Sequence, residues 1–123
     1  MSYVVRAKEG VKFDAIAPAG FAILAALSYA TGALSCDLVI TSGTDGVHSG
    51  PNDPHHLGSA YDVRSQDLPV DKDVMLRTIM EALGQFTPDS GGYITKFFFG
   101  WLEDAGTENE HFHIQLRHGA VYS

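Results

Sequence analysis

Apolar and polar positions along the chain follow two distinguishable rhythms. Between residues 18 and 34, Ile23, Leu27, Ala30 and Leu34 recur at helical spacing, which gathers side chains on one face of a helix. Pro18 suits the first turn, where its missing N–H is not needed, and Gly32 and Ser35 sit near the stop. A second helix is predicted over about residues 71–85. Asp71 is its N-cap, Val74, Ile79 and Leu83 its apolar face, and Gly84 its end. Short apolar or alternating runs predict strands at about 38–41, 60–64, 93–103 and 111–116, with a strand or arm at 3–6. Residues 104–109 read as the turn between the last two strands. Helices followed by strands in this order predict an α+β fold, a mainly antiparallel sheet with helices packed against it.

Residues 43–58 break both rhythms. They are rich in Gly, Pro, Asp, Asn and His, and a loop of that length inside a compact domain points to function. The apolar run 15–34 has barely the length of a membrane span, and it is mostly Ala interrupted by Pro18, Gly20, Ser28, Thr31 and Gly32. A buried helix, with no stable membrane insertion, is the expectation. Composition changes the picture in three ways. The chain has 123 residues with 45% hydrophobic, enough for one domain, 1–123, with its own core. Eight Lys and Arg against 15 Asp and Glu exclude a nucleic-acid binder that works through basic charge. One cysteine, Cys36, excludes an internal disulfide framework and reads as a small buried apolar residue. The first residues carry no basic-then-apolar leader, so synthesis in the cytoplasm without a signal peptide is expected.

Six histidines are distributed unevenly. His48, His55 and His56 fall in the long loop, and His111, His113 and His118 near the end. Catalytic zinc takes three protein ligands, commonly imidazoles with a carboxylate, and leaves a position open. A carboxylate that is not a ligand then accepts a proton from the bound water. His55, Asp62 and His113 supply such a ligand set, with His56 the neighbouring rival for His55, and Glu110 supplies the base. Gly58 permits a sharp turn between His55 and Asp62, and small Ala60 lets backbone pack closely. His111 and His113 alternate to one face of a strand.

These residues carry a resemblance. The run Asp53-Pro54-His55-His56-Leu57-Gly58-Ser59-Ala60-Tyr61-Asp62 is similar to the S-x-H-x-x-G-x-A-x-D motif of the zinc D-alanyl-D-alanine carboxypeptidases, a family that includes phage L-alanyl-D-glutamate endolysins. Glu110-His111-Phe112-His113 is similar to its E-x-x-H motif. The resemblance covers roughly residues 35–118, with hedgehog signalling domains and lysostaphin-type peptidases more distant. It implies a hedgehog- and peptidase-like fold and Zn2+ held by His55, Asp62 and His113. It further implies hydrolysis of a peptide bond in bacterial peptidoglycan, with metal-bound water as nucleophile and Glu110 as general base. It implies action at the cell wall, in phage or prophage lysis or on a virion.

Two departures stand out. Asp53 replaces the leading Ser, and no Arg lies between Arg6 and Arg64 to polarise the scissile carbonyl, a role His48 is a candidate to fill. His111 is a candidate for the tetrahedral intermediate or for orienting a ligand. Arg64, two residues after Asp62, is a candidate for a substrate carboxylate, or else pairs with Asp62 or another acid. Phe97, Phe99 and Trp101 alternate with Phe98 opposite and read as sheet core. His56 and His118 receive no role. A non-catalytic zinc-stabilised binding or virion structural module is the alternative function.

Overall fold

The computed structural model describes residues 2–44, 55 and 57–123. The elements follow in the order β1 (Val5–Ala7), α1 (Pro18–Leu34), β2 (Leu38–Ser42), β3 (Ala60–Arg64), α2 (Lys72–Leu83), β4 (Thr87–Asp89), β5 (Gly92–Ile94), β6 (Phe98–Glu103) and β7 (His111–Leu116). The strands form one seven-stranded sheet in the order β1-β2-β3-β7-β6-β5-β4. Only the β1–β2 pair is parallel. The class is therefore α+β, as the order of periodic segments predicts.

Both helices pack on one face of the sheet. α1 begins at Pro18 and ends at Ser35, whose left-handed backbone (φ 51°) turns the chain into β2. It buries Ala19, Ile23, Ala26, Leu27 and Ala30. In α2 the Asp71 carboxylate accepts the Val74 N–H at 3.0 Å, a capping bond. Of the predicted apolar face Ile79 is buried and Leu83 packs at the edge of the core, whereas Val74 is exposed and Met75, Leu76 and Met80 complete the buried stripe. Against these stripes the sheet presents Leu38, Ile40, Tyr61, Val63, Phe98, Phe112 and Ile114. Gly100 permits the close approach of α2, since a Cβ there would lie 2.6 Å from Met80 Sδ. Side chains of this size are worth about 1.5–3 kcal/mol each when fully buried.

The predicted strand 93–103 is two strands. Thr95 Oγ1 accepts the N–H groups of Phe97 and Phe98 at 3.3 and 2.9 Å, which folds the chain back between β5 and β6. The sequence reading also missed β4, a three-residue, wholly exposed edge strand containing Pro88. Ser90 and Gly91, both with positive φ, join it to β5 as a two-residue hairpin turn. No helix among the described residues is long and apolar enough to cross a membrane.

Candidate metal centre

Strand alternation puts the buried residues of β3, β7 and β6 toward the helices, so their neighbours point to the opposite face. Register then arranges those neighbours in rows. Arg64, His111 and Glu103 lie side by side, then Asp62, His113 and Trp101, then Ala60, Gln115 and Phe99. His55 reaches this face from the loop before β3. Gly58, three residues after His55, packs on the segment leading into α1. Gly58 (φ +71°) sits so close that a Cβ would lie 2.2 Å from the Ala15 carbonyl oxygen. A Cβ at Gly20 would in turn lie 2.1 Å from the Gly58 carbonyl oxygen. Gly58 N–H donates to the His55 carbonyl at 3.0 Å, and Gly58 accepts from Ala17 N–H at 3.2 Å.

Three donor atoms converge. His55 Nε2 lies 3.3 Å from Asp62 Oδ1 and 3.4 Å from His113 Nδ1, and His113 Nδ1 lies 2.9 Å from Asp62 Oδ1. The outer nitrogens fix the tautomers. His55 Nδ1 faces the Gly43 carbonyl at 3.1 Å, and His113 Nε2 faces Gln115 Oε1 at 2.8 Å. Gln115 is oriented because its amide nitrogen donates to the Leu116 carbonyl at 3.1 Å. Both outer nitrogens are thus donors, and in neutral rings both inner nitrogens present lone pairs. Two lone pairs and a carboxylate oxygen facing one point repel one another unless a cation lies among them. A proton satisfies one pair; a divalent ion satisfies all three. The residues therefore fit a metal, and a set of two imidazoles and one carboxylate is a zinc-type donor set.

The same contacts set the charge states of these groups. Burial pushes the Asp62 carboxyl upward, but its bonds to His113 and His55 outweigh this and hold it well below the carboxylate range. Burial pulls His113 down, and its bonds to Asp62 and Gln115 more than reverse that. The Trp101 ring lies 4.3 Å from the His113 ring and limits its rotation.

The remaining expected residues separate. His111 Nδ1 donates to the Asn109 carbonyl at 2.7 Å, which points Nε2 at the site. That nitrogen lies 3.5 Å from Asp62 Oδ1 and 3.4 Å from Glu103 Oε1, yet it is buried without a hydrogen bond. Glu103, His111 and His113 form a second possible donor group sharing His113. Glu110 is not brought to these donors. It is buried and accepts from Ser65 Oγ at 2.8 Å, from Gly106 N–H at 3.1 Å and from Lys72 Nζ. The Lys72 bond first, then Gly106 and Ser65, hold its carboxyl down to about 2. The reason is alternation: one step before His111, Glu110 turns with Phe112 toward the helix face. Arg64 is exposed and makes no ion pair among the described residues, with Asp62 or any other acid. His48, Asp53 and His56 lie outside the described residues.

Sequence reasoning missed Glu103 and Gln115. The β6–β7 register exposes Glu103, opposite His111; the alternation His111, His113, Gln115 on one strand is the signal for Gln115. It also assigned Phe99 and Trp101 to the core, whereas Phe98 is the core residue and they lie half-buried on the face that carries Asp62 and His113. The chain matches no model of a known protein family, no curated protein and no solved structure. What fold and site define is an α+β domain with a group of side chains suited to holding a metal ion.

Proposed function

We propose that the chain is a zinc-dependent peptidase of the hedgehog- and carboxypeptidase-like type, cutting a peptide bond in peptidoglycan stem peptides. The observation that carries the reading is the convergence of His55 Nε2, His113 Nδ1 and Asp62 Oδ1, with each imidazole aimed by an acceptor behind it. The peptidoglycan substrate rests on the resemblance of residues 53–62 and 110–113 to the carboxypeptidase motifs, as does action at the cell wall in phage lysis or on a virion.

His55, Asp62 and His113 would hold the ion. Zinc bound there supplies a Lewis acid that polarises a carbonyl and acidifies water. Glu103 is the carboxylate beside the donors that is neither among His55, Asp62 and His113 nor bound by Lys72. Its oxygen accepts a proton from the attacking water and returns it to the departing amine. His111, with Nε2 between Glu103 and Asp62, is the side chain placed to face charge developing on the substrate oxygen. Glu110 takes a positioning role instead of the expected base role, tying the turn before β7 to the start of α2.

A second reading has one observation in its favour. The carboxylate of the E-x-x-H motif is consumed by Lys72, Ser65 and Gly106, as in a zinc-stabilised module without catalysis. Incubation of the full chain with purified muropeptides, with and without chelator, and mass analysis of the products separates the two. Chelator-sensitive cleavage at one peptide bond supports the peptidase. Tight zinc binding with no product at any peptide bond leaves only the module.

A further inference from the structure

His111 leaves a lone pair unused. Its Nδ1 donates to the Asn109 carbonyl at 2.7 Å, so in the neutral ring Nε2 carries the lone pair. That nitrogen is buried without a hydrogen bond, although two carboxylate oxygens flank it, Glu103 Oε1 at 3.4 Å and Asp62 Oδ1 at 3.5 Å. Neither oxygen lies where a ring N–H would meet it. Three electron-rich atoms around one gap repel one another until a cation lies among them.

The spacing suits such an ion. Donors around a tetrahedral zinc lie about 3.3 Å apart, close to the 3.4 Å between Glu103 Oε1 and His111 Nε2. Strand register holds this pair side by side, since Glu103 and His111 are partners on β6 and β7. His113 is the third member of their donor group. Its Nδ1, however, lies 2.9 Å from Asp62 Oδ1 and 3.4 Å from His55 Nε2, and so belongs to the first donor set. The Asp62 carboxylate borders both sets and is left to complete the second. Two-metal sites hold their ions about 3.5–4 Å apart, a separation that one shared carboxylate spans.

The two sets are unequal. The second has two donors of its own against three. An ion in the first set adds positive charge beside it, as does Arg64 on the other side of His111 in the same row. The Glu103 side chain is 38% exposed, so an ion held there exchanges with solvent.

We propose that Glu103 and His111, sharing Asp62 with the first donor set, form a second and weaker site for a divalent cation. Filling it silences hydrolysis, because the ion occupies the carboxylate that accepts the proton of the attacking water. The silencing rests on the peptidase reading; the site rests on the donor geometry alone.

The test dialyses the full chain against rising zinc, counts bound zinc by atomic absorption, and follows muropeptide cleavage at each concentration. Wild type should bind one equivalent tightly and a second only in excess zinc. Glu103→Gln and His111→Ala should each keep the first equivalent and lose the second. X-ray absorption of the two-zinc form should show a zinc neighbour at about 3.5–4 Å. Cleavage should rise to the first equivalent and fall as the second binds. Saturation of wild type at one equivalent overturns the proposal, as does a second equivalent retained in both variants, which marks adventitious binding at other acids. Loss of the first equivalent in Glu103→Gln also overturns it, because Glu103 would then hold the first ion. Undiminished cleavage with both sites filled removes the silencing. Two bound ions of the expected variant pattern, with no cleavage at any zinc concentration, support the site and remove the peptidase reading.

Discussion

Replacing Glu110 with Gln separates a structural carboxylate from a catalytic one. In the folded chain its carboxyl is held at about 2, against an ordinary 4.5. A carboxyl whose folded value is depressed stabilises the fold above its ordinary value, and that stability is lost as pH falls through the folded value. The window here is pH 4.5 down to about 2. A shift of that size corresponds to about 3 kcal/mol at neutral pH. The leading contribution is Lys72, whose side chain is 40% exposed; solvent screening reduces the whole to about 1–2 kcal/mol. Glu110→Gln should therefore lower stability at pH 7 by about that amount, or about 4–8 °C in Tm. The loss should shrink as the pH approaches 2, where wild type has lost the same contribution. Zinc content should be unchanged. Urea and thermal melts followed by circular dichroism across pH 2–7, beside muropeptide hydrolysis, measure both sides. A variant as stable as wild type that retains zinc yet loses a hundredfold or more in hydrolysis would refute the assignment and return Glu110 to the role of base.

Three further outcomes follow from the geometry. Glu103→Gln should leave zinc content and melting unchanged while hydrolysis falls about 10²–10⁴-fold; activity within a few-fold of wild type removes Glu103 as the proton carrier. Gly58→Ala forces a side chain into a positive-φ position 2.2 Å from the Ala15 carbonyl. It should cost about 2 kcal/mol or more, read by urea denaturation, and a neutral result contradicts the packing of Gly58 on the segment leading into α1. Chelator should lower the Tm of wild type but not of Asp62→Asn, because only a chain that binds the ion gains stability from it. Equal shifts in both would place the ion elsewhere.

Much of this architecture is legible in local pattern. α1, β2, β3, α2 and β7 follow from helical or alternating periodicity and from Pro18, Asp71 and Gly84. His55, Asp62 and His113 are legible as donors because their residue types recur at a recognisable spacing. What pattern does not carry is which side chains lie beside one another across strands. The β6–β7 register brings Glu103 to His111 and Trp101 to His113, and nothing in the order of residues fixes that register. Glu110 is the instructive case. Its spacing from His113 suggests a shared site, but strand alternation sends it to the other face, where Lys72 and Ser65 receive it. The split of residues 93–103 into two strands is hidden for a similar reason: Thr95 breaks an apolar run by hydrogen-bonding its own backbone, without Gly or Pro to announce the turn.

The central claim is that His55, Asp62 and His113 hold one divalent ion together. X-ray absorption at the zinc edge on the zinc-loaded chain measures this directly. One zinc per chain is expected, with two imidazole nitrogens and at least one oxygen in its coordination shell, and with binding lost in His113→Ala and Asp62→Asn. A chain that takes up no stoichiometric zinc, or a coordination shell that survives both substitutions, would contradict the account.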